Sequence, residues 1–343
     1  MRIWFDMETG DPDDFFTLAW LCGHPQIELV GVSITPGTPH QVGVVRYCLD
    51  RFGLDVPVGV FNLSHMKAKG TSDERYVTCV SDWHYKSFGD IPPSEEAETA
   101  WELMAYGLDE ETTLLTGGPL KNLGALLRNL EDDDPLCFPW VGQGGFAGQG
   151  VVPDEDQLDK FKGMVTCPTY NFNGDPKSAL LAFESPQRFT SIRLVSKNVC
   201  HGVFYDQAMH AAFAEARTCC TPCGCPCHQP GQVMLHVMAC CSSCRYCGEE
   251  QAVDAYEGLE AKALSLAMIY KGMEEYLRRH PKGKKFHDPL AAACALNPDI
   301  GIWAQVQMYR ERGQWGCFLD QDSKVQIITG YDHELFVRTL LVG

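Results

Sequence analysis

Five carboxylates crowd into nine residues near the start of the sequence, in Asp6-Met7-Glu8-Thr9-Gly10-Asp11-Pro12-Asp13-Asp14. Like charges packed this closely repel unless something offsets them. A hard divalent cation held by oxygens does so, and Ca²⁺ accepts such ligands from a loop. The plainer reading is a solvated acidic turn whose Asp caps a helix. A second concentration of chemistry lies further on. Nine of the 17 cysteines fall in the 29 residues from Cys219 to Cys247, with His228 and His236. Cys220-x-x-Cys223 and Cys244-x-x-Cys247 have the spacing of tetrahedral zinc half-sites and are 20 residues apart. Cys225, Cys227 and Cys240 offer further thiolates, and nine exceed one four-thiolate site. One or two structural zinc ions are therefore expected, with an iron–sulfur cluster second and disulfides third. The other eight cysteines read as small buried hydrophobes.

The acidic turn must be held by something, and the flanking pattern says what. Arg2 to Glu8 is an apolar strand ending in acids. Asp14 to Cys22 is helical, and Gly23-His24-Pro25 stops it. Strands at Ile27 to Thr35 and Val56 to Phe61 enclose a helix at Val42 to Phe52. Thr113 to Thr116 is another strand, followed by a turn and a helix at Asn122 to Leu130. Trp140-Val141 begins a strand that runs into glycines, and Phe189 to Val195 is one more. This β-α-β-α-β order predicts a mostly parallel open sheet flanked by helices, an α/β fold. In such sheets ligands bind beyond the carboxyl ends of the strands. That edge receives the acidic turn, Thr116-Gly117-Gly118 and Gly144-Gly145. The main composition break is the Cys/Gly/Pro-rich stretch at 216–251, read as an insert within one domain spanning 1–343. A helical apolar pattern from Tyr256 to Leu277 follows it.

Composition narrows the partners. Lys+Arg is 28 and Asp+Glu is 45, a net charge of −17. A general electrostatic grip on a nucleic-acid duplex or an anionic membrane is not expected. No apolar stretch is long enough to span a bilayer, and the first residues lack the pattern of a secretory signal. A cytoplasmic setting with reduced thiols is expected.

The motifs, taken in order, resemble the nucleoside hydrolase (inosine-uridine preferring nucleoside N-ribohydrolase) superfamily. That family opens with a strand and D-x-D-P-G-x-D-D; here the turn is D-M-E-T-G-D-P-D-D, one residue longer, with Glu8 for the second Asp. His84 followed by Gly89-Asp90 is similar to its H-G-x-x-G-x-G-D loop. Gly117-Gly118-Pro119-Leu120-Lys121-Asn122-Leu123 resembles G-P-L-T-N-L. Gly144-Gly145-Phe146 and Gly148-Gln149 resemble M-G-G-A followed by G-N. Thr169-Tyr170-Asn171-Phe172 with Asp175-Pro176 and Ala179 resembles E-F-N-I followed by D-P-E-A. Phe286-His287-Asp288-Pro289 resembles the late H-D-P.

The resemblance implies hydrolysis of an N-glycosidic bond, releasing a nucleobase from a ribonucleoside in purine or pyrimidine metabolism. It implies a catalytic Ca²⁺ held by Asp14, Asp288, the Gly117 carbonyl and Glu8, with Asp6 or Asp11 able to replace Glu8. It makes Asp13 the general base and His287 a general acid on the leaving base. Asn171 and Asp288 would hold the ribose, Tyr170 and His84 would lie near the base, and the assembly would be a homodimer or homotetramer. Gln149 replaces an Asn and Thr169 a Glu that in the family engage the 5′-hydroxyl, and the early G-N of the second βα loop is changed to Gly37-Thr38. The 5′ grip is thus expected to be rebuilt, which points to a modified or larger N-riboside such as a nucleotide or a nicotinamide riboside. A non-catalytic scaffold that docks a ligand or partner is the alternative.

Overall fold

A computed structural model describes residues 1–63, 79–131, 133–216 and 261–342. The zinc half-sites proposed from Cys220, Cys223, Cys225, Cys227, Cys240, Cys244 and Cys247 lie outside the described residues.

Strand β1 (Arg2–Met7) leads into helix α1 (Pro12–Gly23), β2 (Glu28–Ile34), α2 (Pro39–Arg51) and β3 (Val58–Val60). Then come α3 (Asp82–Phe88), β4 (Glu98–Thr99), α4 (Ala100–Gly107), β5 (Thr112–Thr116), α5 (Lys121–Asn129) and β6 (Phe138–Gln143). The chain continues through β7 (Thr166–Cys167), α6 (Tyr170–Gly174), α7 (Pro176–Glu184), β8 (Phe189–Val195), α8 (Lys197–Cys200), β9 (Phe204–Tyr205) and α9 (Gln207–Ala216). After the undescribed stretch come α10 (Ala261–Arg279), β10 (Lys284–Lys285), α11 (Asp288–Leu296), β11 (Gly301–Glu311), β12 (Gln314–Leu319), β13 (Val325–Tyr331) and α12 (His333–Val342).

The main sheet has 11 strands in the order β4-β3-β2-β1-β5-β6-β8-β13-β11-β12-β7. From β4 to β13 every pairing is parallel. β11, β12 and β7 extend it antiparallel. The parallel half follows the sequence reading, whereas the antiparallel edge was not anticipated. β9 and β10 form a separate antiparallel ribbon that pairs Lys284 with Tyr205.

β1 is central and covered on both faces, as parallel strands in α/β folds are. Ile3, Phe5 and Met7 enter one apolar cluster and Trp4 the other. Its neighbours are β2 on one side and β5 on the other. The chain therefore winds outward in both directions from β1, and the crevice at that switch point lies beyond Asp6 and Thr116. No helix of the described residues is long and apolar enough to cross a membrane.

Candidate active site

The turn after β1 and the start of α1 meet the start of α11 at this crevice. Asp13 makes the junction. Its Oδ2 accepts the backbone N–H of His287 at 3.0 Å and, more weakly, that of Asp288 at 3.5 Å. Its Oδ1 lies 2.8 Å from the Lys284 ammonium, which also reaches Asp11 at 3.1 Å. Burial works against the charge on Asp13, but Lys284 and His287 hold its carboxyl below the usual range. Against the desolvation of its buried site, Asp13 and Asp11 hold the Lys284 ammonium above the usual lysine range. The sequence reading did not single out Lys284. Its signal was the Lys284-Lys285 pair directly before Phe286-His287-Asp288, placed by the short β9–β10 ribbon.

Asp14 and Asp288 face each other from the first turns of α1 and α11. Burial, then the charge of its neighbour Asp288, raises Asp14 well above the ordinary carboxylate range. Burial, then Asp13, does the same for Asp288. Gly117 closes this pair from the end of β5: a Cβ there would stand 2.5 Å from Asp288 Oδ2. The Gly117 carbonyl accepts from Asn171 Nδ2 at 2.8 Å, and Gln143 accepts from the same amide through its Oε1 at 2.7 Å.

Glu8 is pushed up to about 7, first by burial and then by Asp11 and Asp13. Among the described residues its one hydrogen bond comes from the Tyr170 hydroxyl at 3.4 Å. Tyr170 is 71% exposed and stands at the rim.

Glu8, Asp13, Asp14, Gly117, Thr169, Tyr170, Asn171, His287 and Asp288 all line one cavity of about 420 Å³. Gln143, Lys197 and His201 line it too and were not anticipated. The His287 ring packs edge-on to His201 with centroids 4.9 Å apart, and its Nδ1 lies 3.1 Å from the Cys200 thiol. Burial lowers His287 to about 4 and His201 to about 2, so both rings are neutral near pH 7. Cys200 therefore touches the site and is more than a core filler.

Three expectations are corrected. His84 does not face the cavity: it is fully buried, edge-on to Phe15 and Trp83, with Nδ1 tied to Ser81. The aromatic neighbours draw it into the core. Gln149 is exposed and does not line the cavity; its backbone N–H bonds Met164, which fixes it in an outer loop. Asp6 also lies behind the site, where its Oδ1 takes Ser33 Oγ and Asn122 Nδ2, both at 2.7 Å. Asp11 reaches the cavity. Among the described residues no three His, Cys, Asp or Glu side chains converge as a ready-made ion cage. The acids share the cavity as an Asp14–Asp288 pair, an Asp13–Lys284 pair and a separate Glu8.

Known proteins share this fold. The family described as inosine-uridine preferring nucleoside hydrolase matches residues 3–338. A protein of Aquifex aeolicus (strain VF5), named only as an uncharacterized protein, is 25% identical over 325 residues, covering 92% of this chain and 90% of that one. The purine-preferring ribonucleoside hydrolase of Gardnerella vaginalis superposes with a TM-score of 0.60 at 18% identity, covering 99% of this chain and 97% of its own. An inosine-uridine preferring nucleoside hydrolase of Bacillus anthracis gives 0.58 at 16% identity, covering 99% and 98%. At these identities the superpositions speak to the fold.

Proposed function

Because this chain belongs to the inosine-uridine preferring nucleoside hydrolase family, we propose that its cavity hydrolyses the N-glycosidic bond of a ribonucleoside or related N-riboside. The chain is an N-glycosyl hydrolase; the substrate and the roles of individual residues are the proposal. The observation that carries it is the meeting of Asp13, Asp14 and Gly117 with His287 and Asp288 in one cavity of about 420 Å³. Ligand pockets run from roughly 300 to 1,000 Å³, so a nucleoside is within reach.

The donor chemistry suits a hard cation, since Asp14, Asp288, Glu8 and the Gly117 carbonyl offer only oxygens. Burial first, and then repulsion between neighbouring acids, drives the Asp14 and Asp288 carboxyls up, and a bound cation relieves both. A Ca²⁺ held there would polarise a water molecule and lower its pKa.

The remaining work falls to the chain's own residues. Asp13 has both oxygens engaged, one by an ammonium and one by a backbone N–H. Glu8 faces the cavity with a single long hydrogen bond. This contrast supports Glu8 as the group that takes the proton from water, the role the resemblance gave Asp13. Asp13 then acts as a positioning residue that holds the His287-Asp288 backbone against α1. Asn171 and Asp288 hold the ribose hydroxyls. His287, neutral and with Nδ1 turned to Cys200, has Nε2 left to assist the departing base. Tyr170 at the rim offers a ring face to that base.

Chromatographic detection of free base from a panel of N-ribosides tests the reading. At least one must be cleaved by the purified protein and spared by the Glu8→Gln, Asp14→Asn double variant. A panel left untouched with Ca²⁺ present would sink the proposal.

A further inference from the structure

We propose that the substrate is a ribonucleoside 5′-monophosphate, its phosphate held in a second cleft that opens from the catalytic cavity. This deepens the N-riboside reading and rests on it. The cleft measures about 520 Å³ and shares Glu8, Thr169, Tyr170 and Lys197 with the cavity. It continues past Thr35 and Pro36, at the end of β2, to Lys121 at the start of α5.

Its chemistry suits an anion. Two ammonium groups line it, and neither pairs with a carboxylate among the described residues. Lys197 Nζ donates to the Pro168 carbonyl at 2.7 Å, and Lys121 lies over the Phe61 ring at 5.6 Å. Glu8, at the junction with the cavity, is the only acid on the lining among the described residues.

Two hydroxyls add donors. Thr35 and Thr169 are 2% and 4% exposed, line the cleft, and have Oγ1 atoms without a hydrogen-bond partner. A buried hydroxyl left unmatched is costly, and a ligand oxygen is a direct way to satisfy it. Thr169 occupies the N-cap position of α6, where its hydroxyl would ordinarily bond the helix, yet it makes no such bond.

The same residues mark the departures noted in the sequence. Thr169 replaces a Glu, removing a negative charge from the 5′ end, and Lys121 replaces the Thr of the G-P-L-T-N-L pattern, adding a positive one. Thr38 does not restore a contact to a 5′-hydroxyl, because its own hydroxyl accepts the Gln41 N–H. The 5′ end has thus lost an acid and gained a cation, with Lys197 beside it. Ammonium-to-phosphate hydrogen bonds are about twice as strong as neutral ones. In the reaction water adds its oxygen to C1′ as the C1′–N bond breaks. One proton of that water passes by way of the protein to the base, giving ribose 5-phosphate and free nucleobase.

The test compares kcat/KM for matched nucleosides and their 5′-monophosphates, scored by base release, in wild type, Lys121→Met and Lys121→Arg. For the preferred base the monophosphate should exceed its nucleoside at least tenfold. Lys121→Met should cut that ratio about tenfold through KM, and Lys121→Arg should restore most of it. Thr169→Val gives a second, independent reduction should Lys121→Met fail to fold. If nucleosides are cleaved as well as monophosphates, with a ratio indifferent to Lys121, the phosphate site is refuted while the N-riboside reading stands. If neither class releases base, both fall.

Discussion

Replacing Glu8 by Gln and Asp13 by Asn separates catalysis from architecture. Both changes neutralise a carboxylate of the same cavity with almost no change of shape. Asp13→Asn leaves Lys284, whose side chain is 6% exposed, 2.8 Å from a neutral amide. Among the described residues Asp11 is the ion-pair partner that remains, and its side chain is 65% exposed. Removing one partner of a buried ion pair costs about 3–5 kcal/mol. At about 2 °C per kcal/mol for a chain of this size, Tm should fall by roughly 5–10 °C. The double variant Asp13→Asn, Lys284→Met should recover most of that fall, since it removes the stranded ammonium. Glu8→Gln relieves crowding instead, so its Tm should hold or rise, while kcat should drop by about 10²–10⁴ if Glu8 takes the proton. Calorimetry and base release on the same preparations read both quantities. A stable but inactive Asp13→Asn beside a fully active Glu8→Gln would reverse the assignment and return the base role to Asp13.

Other consequences can be checked separately. A calcium chelator should abolish base release and Ca²⁺ should restore it, whereas activity that survives exhaustive chelation would remove the cation from the account. Gly117→Ala would set a methyl 2.5 Å from Asp288 Oδ2; overpacking of about 1–3 kcal/mol and near-complete loss of turnover are expected by denaturant melts and base release. His287→Gln should slow purine release by about 10²–10⁴ yet barely affect a nitrophenyl riboside, whose leaving group needs no proton. Burial lowers His84 to about 4, below an unfolded value of about 6.5, so the unfolded chain takes the proton more readily. Its contribution is present above about pH 6.5 and is lost as pH falls toward 4, a loss of about 3 kcal/mol. His84→Phe should flatten that part of the stability–pH curve relative to wild type; parallel curves would contradict the burial argument.

The parallel half of the sheet was legible because its signal is local. Strands such as Phe189–Val195 are short apolar runs bounded by turns, and α1 begins at an Asp-Pro-Asp-Asp start. The antiparallel β11–β13 edge was missed because β11 reads G-I-W-A-Q-V-Q-M-Y-R-E, with polar and exposed apolar residues mixed. Its identity comes from pairing with β13 and β12, which no local window contains. At the site, residues inside dense motifs could be singled out and share one cavity: Asp13, Asp14, Gly117, Asn171, His287 and Asp288. Lys284, Lys197 and Gln143 were not, because a lysine beside an acid 271 residues away looks like any surface lysine until the β9–β10 ribbon buries it. His84 misled for the opposite reason, since a histidine in a family-like loop reads as a contact to the base, whereas it packs edge-on against Phe15 and Trp83 in the core.

The Lys284 clamp also has a consequence for the order of events during synthesis. Asp11 and Lys284 are 273 positions apart. At about 5–20 residues per second, roughly 15–55 s pass between the appearance of the acids and that of the cation that tethers Asp13. β13, which enters the sheet between β8 and β11, emerges later still. A ribosome-bound chain thus holds its first parallel strands and an open, self-repelling acidic loop long before the pocket exists. A product that stops short of Lys284 and Asp288 lacks the groups that close the pocket around Asp13 and Asp14.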